Sequence, residues 1–279
     1  MLLPSASTEF LALFGGALHS SPSPQTHSQW AQDFGLNLLY LPLPCDSEAD
    51  FIQLAGALMR CSQFKGGNIT NPFKTAAFQL NNVEIDPSAL VCGAGNTLYR
   101  QGQRWMLSNT DLAGCMSSIR TALTPNPPPF DVIILGTGAM SRTVSVAMER
   151  VCQELKTQPV RTRTVGRVEL ASHDFGHLHE NDTQLRVVIN TLPSATQAEA
   201  DLRATRYLTA LQSMDHATRA HVLFDLSYIE TRTSAFAREN GWTVETGRNL
   251  FQVQARESFK LWTQIDLPTD AAVQWPHPE

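Results

Sequence analysis

Asp131-Val132-Ile133-Ile134-Leu135-Gly136-Thr137-Gly138-Ala139-Met140-Ser141 runs an apolar segment straight into a glycine turn. A short run rich in β-branched residues reads as a strand covered on both faces. The residues after the turn carry a helical pattern to about Leu155. Strand, glycine turn and helix in that order open a dinucleotide-binding βαβ unit. Gly136 permits the tight turn and Gly138 lets backbone approach a pyrophosphate. The helix N-terminus adds N–H donors and the positive end of its dipole. Ser141 stands where the general fingerprint has its third glycine, so a turn that only reverses the chain remains an alternative.

Downstream, strands are predicted at Val160–Val165, Arg186–Ile189, His221–Leu226 and Trp242–Val244, with helices between them. That alternation is a Rossmann-type parallel sheet. Sites that prefer NAD end the second strand with a carboxylate for the ribose hydroxyl. Here the strand ends in Val165-Gly166-Arg167, with Arg161 and Arg163 inside it, so NADP is favoured and NAD remains possible. Arg167 is the residue expected on a 2′-phosphate, against the alternative of a solvated edge arginine. His173-Asp174 and His177-Leu178-His179 lack cysteine partners and a helical i, i+4 face, and are read as a polar loop with no metal. From Gly247, the residues Phe251, Ala255, Phe259 and Trp262 recur at helical spacing, and the final dozen residues read as an irregular tail.

Upstream, Thr124-Pro125-Asn126-Pro127-Pro128-Pro129 holds four prolines in five residues, a stiff spacer that no helix can cross. It divides an α/β chain into two domains. The first is 1–123 and the second is the dinucleotide-binding domain 130–246. Before the spacer, Phe10–Phe14 and Asn37–Leu43 read as strands. Ser23 is expected to cap a helix with Pro24 at its first position, Trp30 and Phe34 turned inward, and a stop at Gly35. Ser47 with Asp50 resembles a capping box opening a helix to about Arg60, with Phe51, Leu54 and Leu58 on one face. Leu98–Arg100 and Trp105–Leu107 flank Gln101-Gly102-Gln103 as a hairpin, and Asn109 or Thr110 caps a helix to about Leu123. This half is predicted as a mostly parallel sheet covered on both faces.

Within it, Gly66-Gly67-Asn68-Ile69-Thr70-Asn71-Pro72-Phe73-Lys74 reads as a strand end, a polar turn and a helix start at Pro72. Asn68, Thr70 and Lys74 then share a rim. A lysine beside Phe73, Ala76 and Ala77 is a candidate for proton chemistry, with a solvated turn lysine as the alternative.

The 279 residues are 42% hydrophobic and 17% charged, as in a globular protein. A net charge of −5 and a pI of about 5.9 argue against a nucleic-acid partner. Five dispersed cysteines have neither metal nor redox spacing, which fits a reducing compartment. The opening MLLPSASTEFLALFG has no basic region and breaks its apolar runs, so no secretory leader is expected. No apolar run is long enough to span a bilayer. The expectation is a cytoplasmic monomer or homodimer acting on a small molecule, away from membranes.

Four stretches together resemble the shikimate dehydrogenase family: Ser21-Pro22-Ser23-Pro24, Asn68 to Lys74, Gly93-Ala94-Gly95-Asn96-Thr97, and Asn109-Thr110-Asp111 with Gly114. They correspond to the family's S-x-S-P, N-V-T-x-P-x-K, G-A-x-N-T and N-T-D-x-x-G motifs. Asp225-Leu226 with Tyr228, and Gln254-Ala255, fit the family's last strand and closing helix, so the resemblance spans about residues 8–263. The resemblance implies that the first domain binds substrate and is completed by the helix 247–265, with Lys74 and Asp111 as the catalytic pair. Ser21, Ser23, Asn68, Thr70, Asn96, Thr110, Tyr228 and Gln254 are implied as the cradle for a hydroxylated ring acid, in a cleft between the domains. For the cofactor it implies Gly136, Thr137, Gly138, Ala139, Met140, Arg167, Asn190, Leu192 and Gly247. A structural Lys–Asp ion pair is the competing reading.

Departures concentrate in the cofactor half. Ala139 replaces the second of two adjacent glycines, Gly166 the Asn of N-R-T, and Leu192-Pro193 a Thr-Pro. Ile229-Glu230 replaces Asn-Pro, and Leu250-Phe251 replaces Met-Leu. In the substrate half, Ser20 replaces a His and Gly95 a Val. The implied activity is NADP-dependent, reversible reduction of 3-dehydroshikimate to shikimate. The alternatives are a relative acting on quinate or an amino analogue, or a nucleotide- or metabolite-sensing module without catalysis.

Overall fold

The computed structural model of the protein describes residues 4–123, 127–172, 183–193, 197–214 and 220–275. The chain divides into two compact units, one of Met1–Asp111 with Gln252–Glu279, the other of Leu112–Phe251. Among the described residues no helix is long and apolar enough to cross a membrane. Residues 124–126, inside the proline-rich spacer, and the histidine cluster at 173–179 lie outside the described residues.

In the first unit, strands β1 (Glu9–Gly15), β2 (Leu38–Pro44), β3 (Phe64–Ile69), β4 (Val83–Ile85), β5 (Thr97–Gln101) and β6 (Arg104–Ser108) form one sheet. Their order is β2-β1-β3-β5-β6-β4, and only β5 runs antiparallel to its neighbours. Leu11, Ala12, Leu13 and Phe14 of β1 are all buried, as a strand covered on both faces requires. One face packs Phe14, Phe64, Leu98 and Leu107 with Phe51 of α2 (Glu48–Leu58). The other packs Leu11, Leu13, Leu38 and Tyr40 with Ala31 of α1 (Ser23–Asp33). Burying each such side chain fully contributes about 1.5–3 kcal/mol. Gly66, with φ +132°, and Gly67 let β3 press between its neighbours. A Cβ on Gly66 would lie 2.1 Å from the Leu98 carbonyl oxygen, and one on Gly67 2.2 Å from that of Ala12.

The hairpin β5–β6 and the Ser47 cap, whose hydroxyl accepts from the Asp50 N–H, stand as expected. Three local expectations do not. Helix α1 begins at Ser23 itself, with Pro22 in the cap position and no side-chain cap; upstream, the Ser21 hydroxyl accepts the Ser23 N–H (3.3 Å). Phe34 falls past the end of α1 and is 47% exposed, while the buried stripe consists of Thr26, His27, Trp30 and Ala31. No helix starts at Pro72. The chain is still turning there, closed by the Phe73 N–H on the Thr70 carbonyl (2.9 Å), and only a short 3-10 turn, Ala76–Gln79, follows Lys74. The short helix α3 (Pro87–Cys92), capped by Asp86, was not anticipated.

The second unit holds the parallel strands β7 (Phe130–Leu135), β8 (Arg161–Val165), β9 (Leu185–Asn190), β10 (Ala220–Asp225) and β11 (Thr243–Thr246) in the order β11-β10-β9-β7-β8. The helices are α4 (Asp111–Ala122), α5 (Ala139–Glu154), α6 (Arg167–Ser172), α7 (Ala198–Met214), α8 (Arg232–Glu239) and α9 (Gly247–Thr263). From β7 the chain goes first to β8 on one side and then to β9 on the other. The glycine turn after β7 therefore sits at the switch point, where α/β sheets bind ligands. Helix α9 starts in the second unit, and from Gln252 onward it belongs to the first. The tail after it is irregular but anchored: Ala272 accepts from the Trp30 indole (2.8 Å), and the Gln274 N–H donates to Thr26 (3.0 Å).

His27 is 1% exposed, stacked on Tyr40 at 4.7 Å, with Trp30 and Trp262 edge-on. Neither ring nitrogen has a hydrogen-bond partner. Burial alone lowers its pKa from 6.5 to about 3. Above pH 6.5 both folded and unfolded rings are neutral and the group is indifferent. As pH falls below 6.5 the unfolded ring binds a proton that the folded ring refuses, so stability drops. At about pH 4.5 the loss is roughly 2–3 kcal/mol, at 1.36 kcal/mol per unit. His27→Phe keeps the ring and removes the proton site. Its urea-derived stability should match or exceed wild type at pH 7, and should fall about 2–3 kcal/mol less on acidification to pH 4.5. An equal acid loss in both proteins would show that His27 is not the source.

Candidate active site

Lys74 and Asp111 are 37 residues apart in sequence and meet at 2.7 Å, Nζ to Oδ2. The topology explains the meeting. β3 and β6 run the same way with antiparallel β5 between them, so the turn after β3 and the start of α4 after β6 leave the sheet at one edge. Backbone fixes the lysine further, its carbonyl accepting the Gly95 N–H at 2.9 Å. The side chains are 14% and 7% exposed. A charge-assisted contact this shielded holds its geometry better than a surface pair, and removing one partner strands the other's charge.

Beside the pair lies a buried polar cluster. Asn68 Nδ2 reaches Asn96 O (3.2 Å), Thr97 Oγ1 (3.1 Å) and Ser258 Oγ (3.0 Å). Its Oδ1 accepts from the Tyr40 hydroxyl at 2.8 Å. Asn96 Nδ2 donates to Thr110 Oγ1 (3.0 Å), and Asn96 Oδ1 accepts the Thr110 N–H (2.7 Å). Ser258 also lies 3.0 Å from the hydroxyls of Thr97 and Thr110. Burial drives the Tyr40 phenol well above its ordinary pKa, against the opposing hydrogen bonds of the Ser23 side chain and the Asn68 backbone, so it stays a donor.

Of the residues named from sequence, the structure thus joins Lys74 to Asp111, and Asn68, Asn96 and Thr110 to one another. Ser21 and Ser23 form the turn into α1, with Ser23 buried and bonded to the Tyr40 phenol. Thr70 lies in the turn before Lys74, its methyl 2.5 Å from where a Gly15 Cβ would stand. Gln254 is buried on α9. Tyr228 belongs to the second unit, where its ring meets Phe251 edge-on at 6.0 Å. Tyr40, Thr97 and Ser258 were missed. Ser258 is one helical turn after Gln254, a spacing that puts both on one face, and Tyr40 alternates with Leu38 on a core-facing side. A cavity of about 260 Å³ between Glu9, Asn37, Lys65 and Trp262 lies at the opposite edge, where β1 and β3 begin.

In the second unit the cofactor candidates line the carboxyl ends of the strands. Gly136 has φ +111°, and a Cβ there would lie 2.5 Å from Thr191 Oγ1 and 3.4 Å from the Leu192 side chain. Around Gly138 a Cβ would meet nothing within 4 Å, which leaves room for a phosphate group. No side chain caps α5, whose first residues are Ala139 and Met140. Strand β8 stops at Val165, so Arg167 is not a strand residue but the exposed first residue of α6. It follows Gly166, which stands beside Thr137. Val165-Gly166-Arg167 itself carries no carboxylate, and the nearby Glu169 of α6 is paired with Arg163 of β8, so the residues fit a dinucleotide with a 2′-phosphate. Asn190 is turned inward: its amide donates to Asp225 (3.3 Å) and accepts the Leu192 N–H (3.2 Å). Burial raises the Asp225 pKa despite hydrogen bonds from Thr231, Ser227 and Asn190. Gly247 is held by the Ser227 carbonyl (2.8 Å). Among the described residues there is no cluster fit to hold a metal.

Residues 13–98 match the family described as shikimate dehydrogenase substrate binding domain. The shikimate dehydrogenase (NADP(+)) of Trichormus variabilis is 27% identical, covering 97% of this chain and 96% of that protein. That of Herminiimonas arsenicoxydans is 29% identical, covering 96% and 97%. The crystal structure of shikimate dehydrogenase from Aquifex aeolicus has a TM-score of 0.73 at 23% identity, covering 96% of this chain and 97% of its own. The Thermus thermophilus shikimate 5-dehydrogenase, solved in complex with NADP(H) and shikimate, has a TM-score of 0.67 at 22% identity, covering 94% and 96%.

Gly95 departs from the Val of the resembling motif, and the structure supplies a reason. A Cβ there would stand 2.4 Å from Leu107 Cγ. Gly95→Val should therefore destabilise by about 1–3 kcal/mol through overpacking. Paired with Leu107→Ala, which clears the space, the combined loss should fall short of the sum by at least about 0.5 kcal/mol. Thermal unfolding of the four proteins reads this, and strictly additive losses would acquit Leu107.

Proposed function

We infer that this chain belongs to the shikimate dehydrogenase family and is an NADP-dependent oxidoreductase, reversibly reducing 3-dehydroshikimate to shikimate. The observation that carries this reading is the shielded Lys74–Asp111 contact at 2.7 Å beside an uncharged polar cluster. Reduction adds a hydride to the ring carbonyl carbon and a proton to its oxygen. Lys74, as the ammonium, donates that proton to the developing alkoxide and regains one from solvent. Asp111 remains a carboxylate, orienting the ammonium. In the oxidative direction the neutral Lys74 amine takes the hydroxyl proton.

Ser21, Ser23, Asn68, Thr70, Asn96, Thr110, Tyr228 and Gln254 provide the hydroxyls and amides that a polyhydroxy ring acid requires, since unmatched polar groups penalise analogues. Bound NADP(H) supplies or accepts the hydride. Gly136, Thr137, Gly138, Ala139 and Met140 receive its pyrophosphate at the start of α5, with Asn190, Leu192 and Gly247 shaping the neighbouring strand ends. Arg167 pairs with the 2′-phosphate. We assign the enzyme to the cytoplasm from its dispersed cysteines.

Nicotinamide absorbance with shikimate and NADP tests the activity directly, and a folded protein silent with both NADP and NAD would end this reading. Lys74→Ala should lower kcat about 10²–10⁴-fold, the range of general acid–base catalysis, while shikimate affinity changes far less. If affinity and thermal stability collapse with turnover, the lysine is structural instead. Arg167→Gln should raise the KM for NADP roughly tenfold or more, as the loss of a charge-assisted contact predicts, and leave the KM for NAD nearly unchanged. Equal effects on both cofactors would remove Arg167 from the phosphate.

A further inference from the structure

Asn68 reaches across β1 to a residue that no motif marked. In the sheet register Tyr40 pairs with Leu11, and Leu13 pairs with Asn68, so the two side chains flank β1 on the same face. The Tyr40 ring is held by His27 stacked at 4.7 Å and by Trp262 at 6.0 Å. Its hydroxyl donates to Asn68 Oδ1 at 2.8 Å. On the other side of the amide stand the carbonyl of Asn96 and the hydroxyls of Thr97 and Ser258. A flipped amide would set its oxygen against the Asn96 carbonyl and lose a hydrogen bond there. Both hydrogens of Nδ2 are therefore directed at protein acceptors, while Oδ1 keeps a second lone pair after bonding Tyr40.

We propose that Tyr40 is a positioning residue for the substrate: its hydroxyl fixes the Asn68 amide so that Asn68 meets the ring acid as a hydrogen-bond acceptor. This rests on the dehydrogenase reading above. The ligand group opposite Asn68 must then be a donor, a ring hydroxyl and not a carbonyl or ether. Specificity for a hydroxyl at that ring position is thereby written on a strand that does not itself touch the substrate. The phenol is 4% exposed, and burial keeps it protonated, so the clamp does not switch off within the working pH range.

Tyr40→Phe removes the hydroxyl and keeps the ring against His27 and Trp262. In the full-length protein, the KM and the calorimetric Kd for shikimate should rise roughly tenfold, about what one hydrogen bond to a buried amide is worth. The kcat and the KM for NADP should stay close to wild type, while the thermal midpoint falls by the few degrees that one lost buried hydrogen bond brings. On an Asn68→Ala background, or Asn68→Ser where Ala does not fold, with Ser23→Ala added because Ser23 also bonds the phenol, Tyr40→Phe should add no further rise. A structural tyrosine would instead weaken shikimate equally in both backgrounds, and that result overturns the inference. So does an unchanged Kd in Tyr40→Phe. A wild type that binds shikimate but does not turn over overturns the dehydrogenase reading alone, because the binding comparison still reports on Tyr40. A wild type that does not bind shikimate overturns both.

Discussion

Asn68, Asn96, Thr97, Thr110 and Ser258 bury five polar side chains at one place in the first unit, and each would cost about 1–3 kcal/mol if left unbonded. They satisfy one another across β3, β5, the approach to α4, and α9. Each contact depends on the others, because a hydroxyl placed 1 Å away leaves two partners short. That mutual dependence ties the end of α9 to the sheet as apolar packing alone would not, since apolar contacts slide and hydrogen bonds do not. The Trp262 indole adds a second directional tie, donating to the Leu98 carbonyl at 2.9 Å. Gly66 gives the room for it, as a Cβ there would crowd the indole nitrogen at 3.0 Å.

Against that neutral background the Lys74–Asp111 pair stands out. A buried ion pair is weak evidence for stability, because desolvating two charges offsets most of their attraction. Replacing both by apolar residues would cost the fold little. The pair makes physical sense where an ammonium must be held beside a reacting oxygen at a fixed angle, which is what an orienting carboxylate achieves.

What could be read in the sequence was whatever depends on local pattern. Val132–Leu135 with the glycine turn, the hairpin around Gly102 and the Ser47 cap each carry their own signal within ten residues, and each stands. The failures share a different cause. Ser23 looked like a cap because serine before proline usually is one, but the helix starts a residue earlier than that reading allows, with Pro22 in the cap position and no side-chain cap. Phe34 fitted the helical period, yet the helix ended one residue earlier and left it outside. Tyr40 and Ser258 carry no local signal at all. Their meaning comes from partners 28 and 190 residues from them in sequence, brought together only by the sheet order and the return of α9. Motif resemblance found Asn68, but not what determines how Asn68 faces.

The departures from the family motifs fall into two physical kinds. Gly95 is forced: Leu107 fills the space a side chain would need, so the two positions have settled together and the interior stays full. Gly166 is not forced. A Cβ there would meet Thr137 at 3.5 Å, an ordinary contact, and its backbone does not require glycine. An asparagine would fit, so its absence is no packing necessity. The adjoining Val168 is 85% exposed, again at a position packing leaves open. Gly95 is thus matched by a compensating neighbour, whereas Gly166 stands where the protein's own interior sets no constraint; Leu250 and Phe251, which also depart from the motifs, are buried and are held by packing.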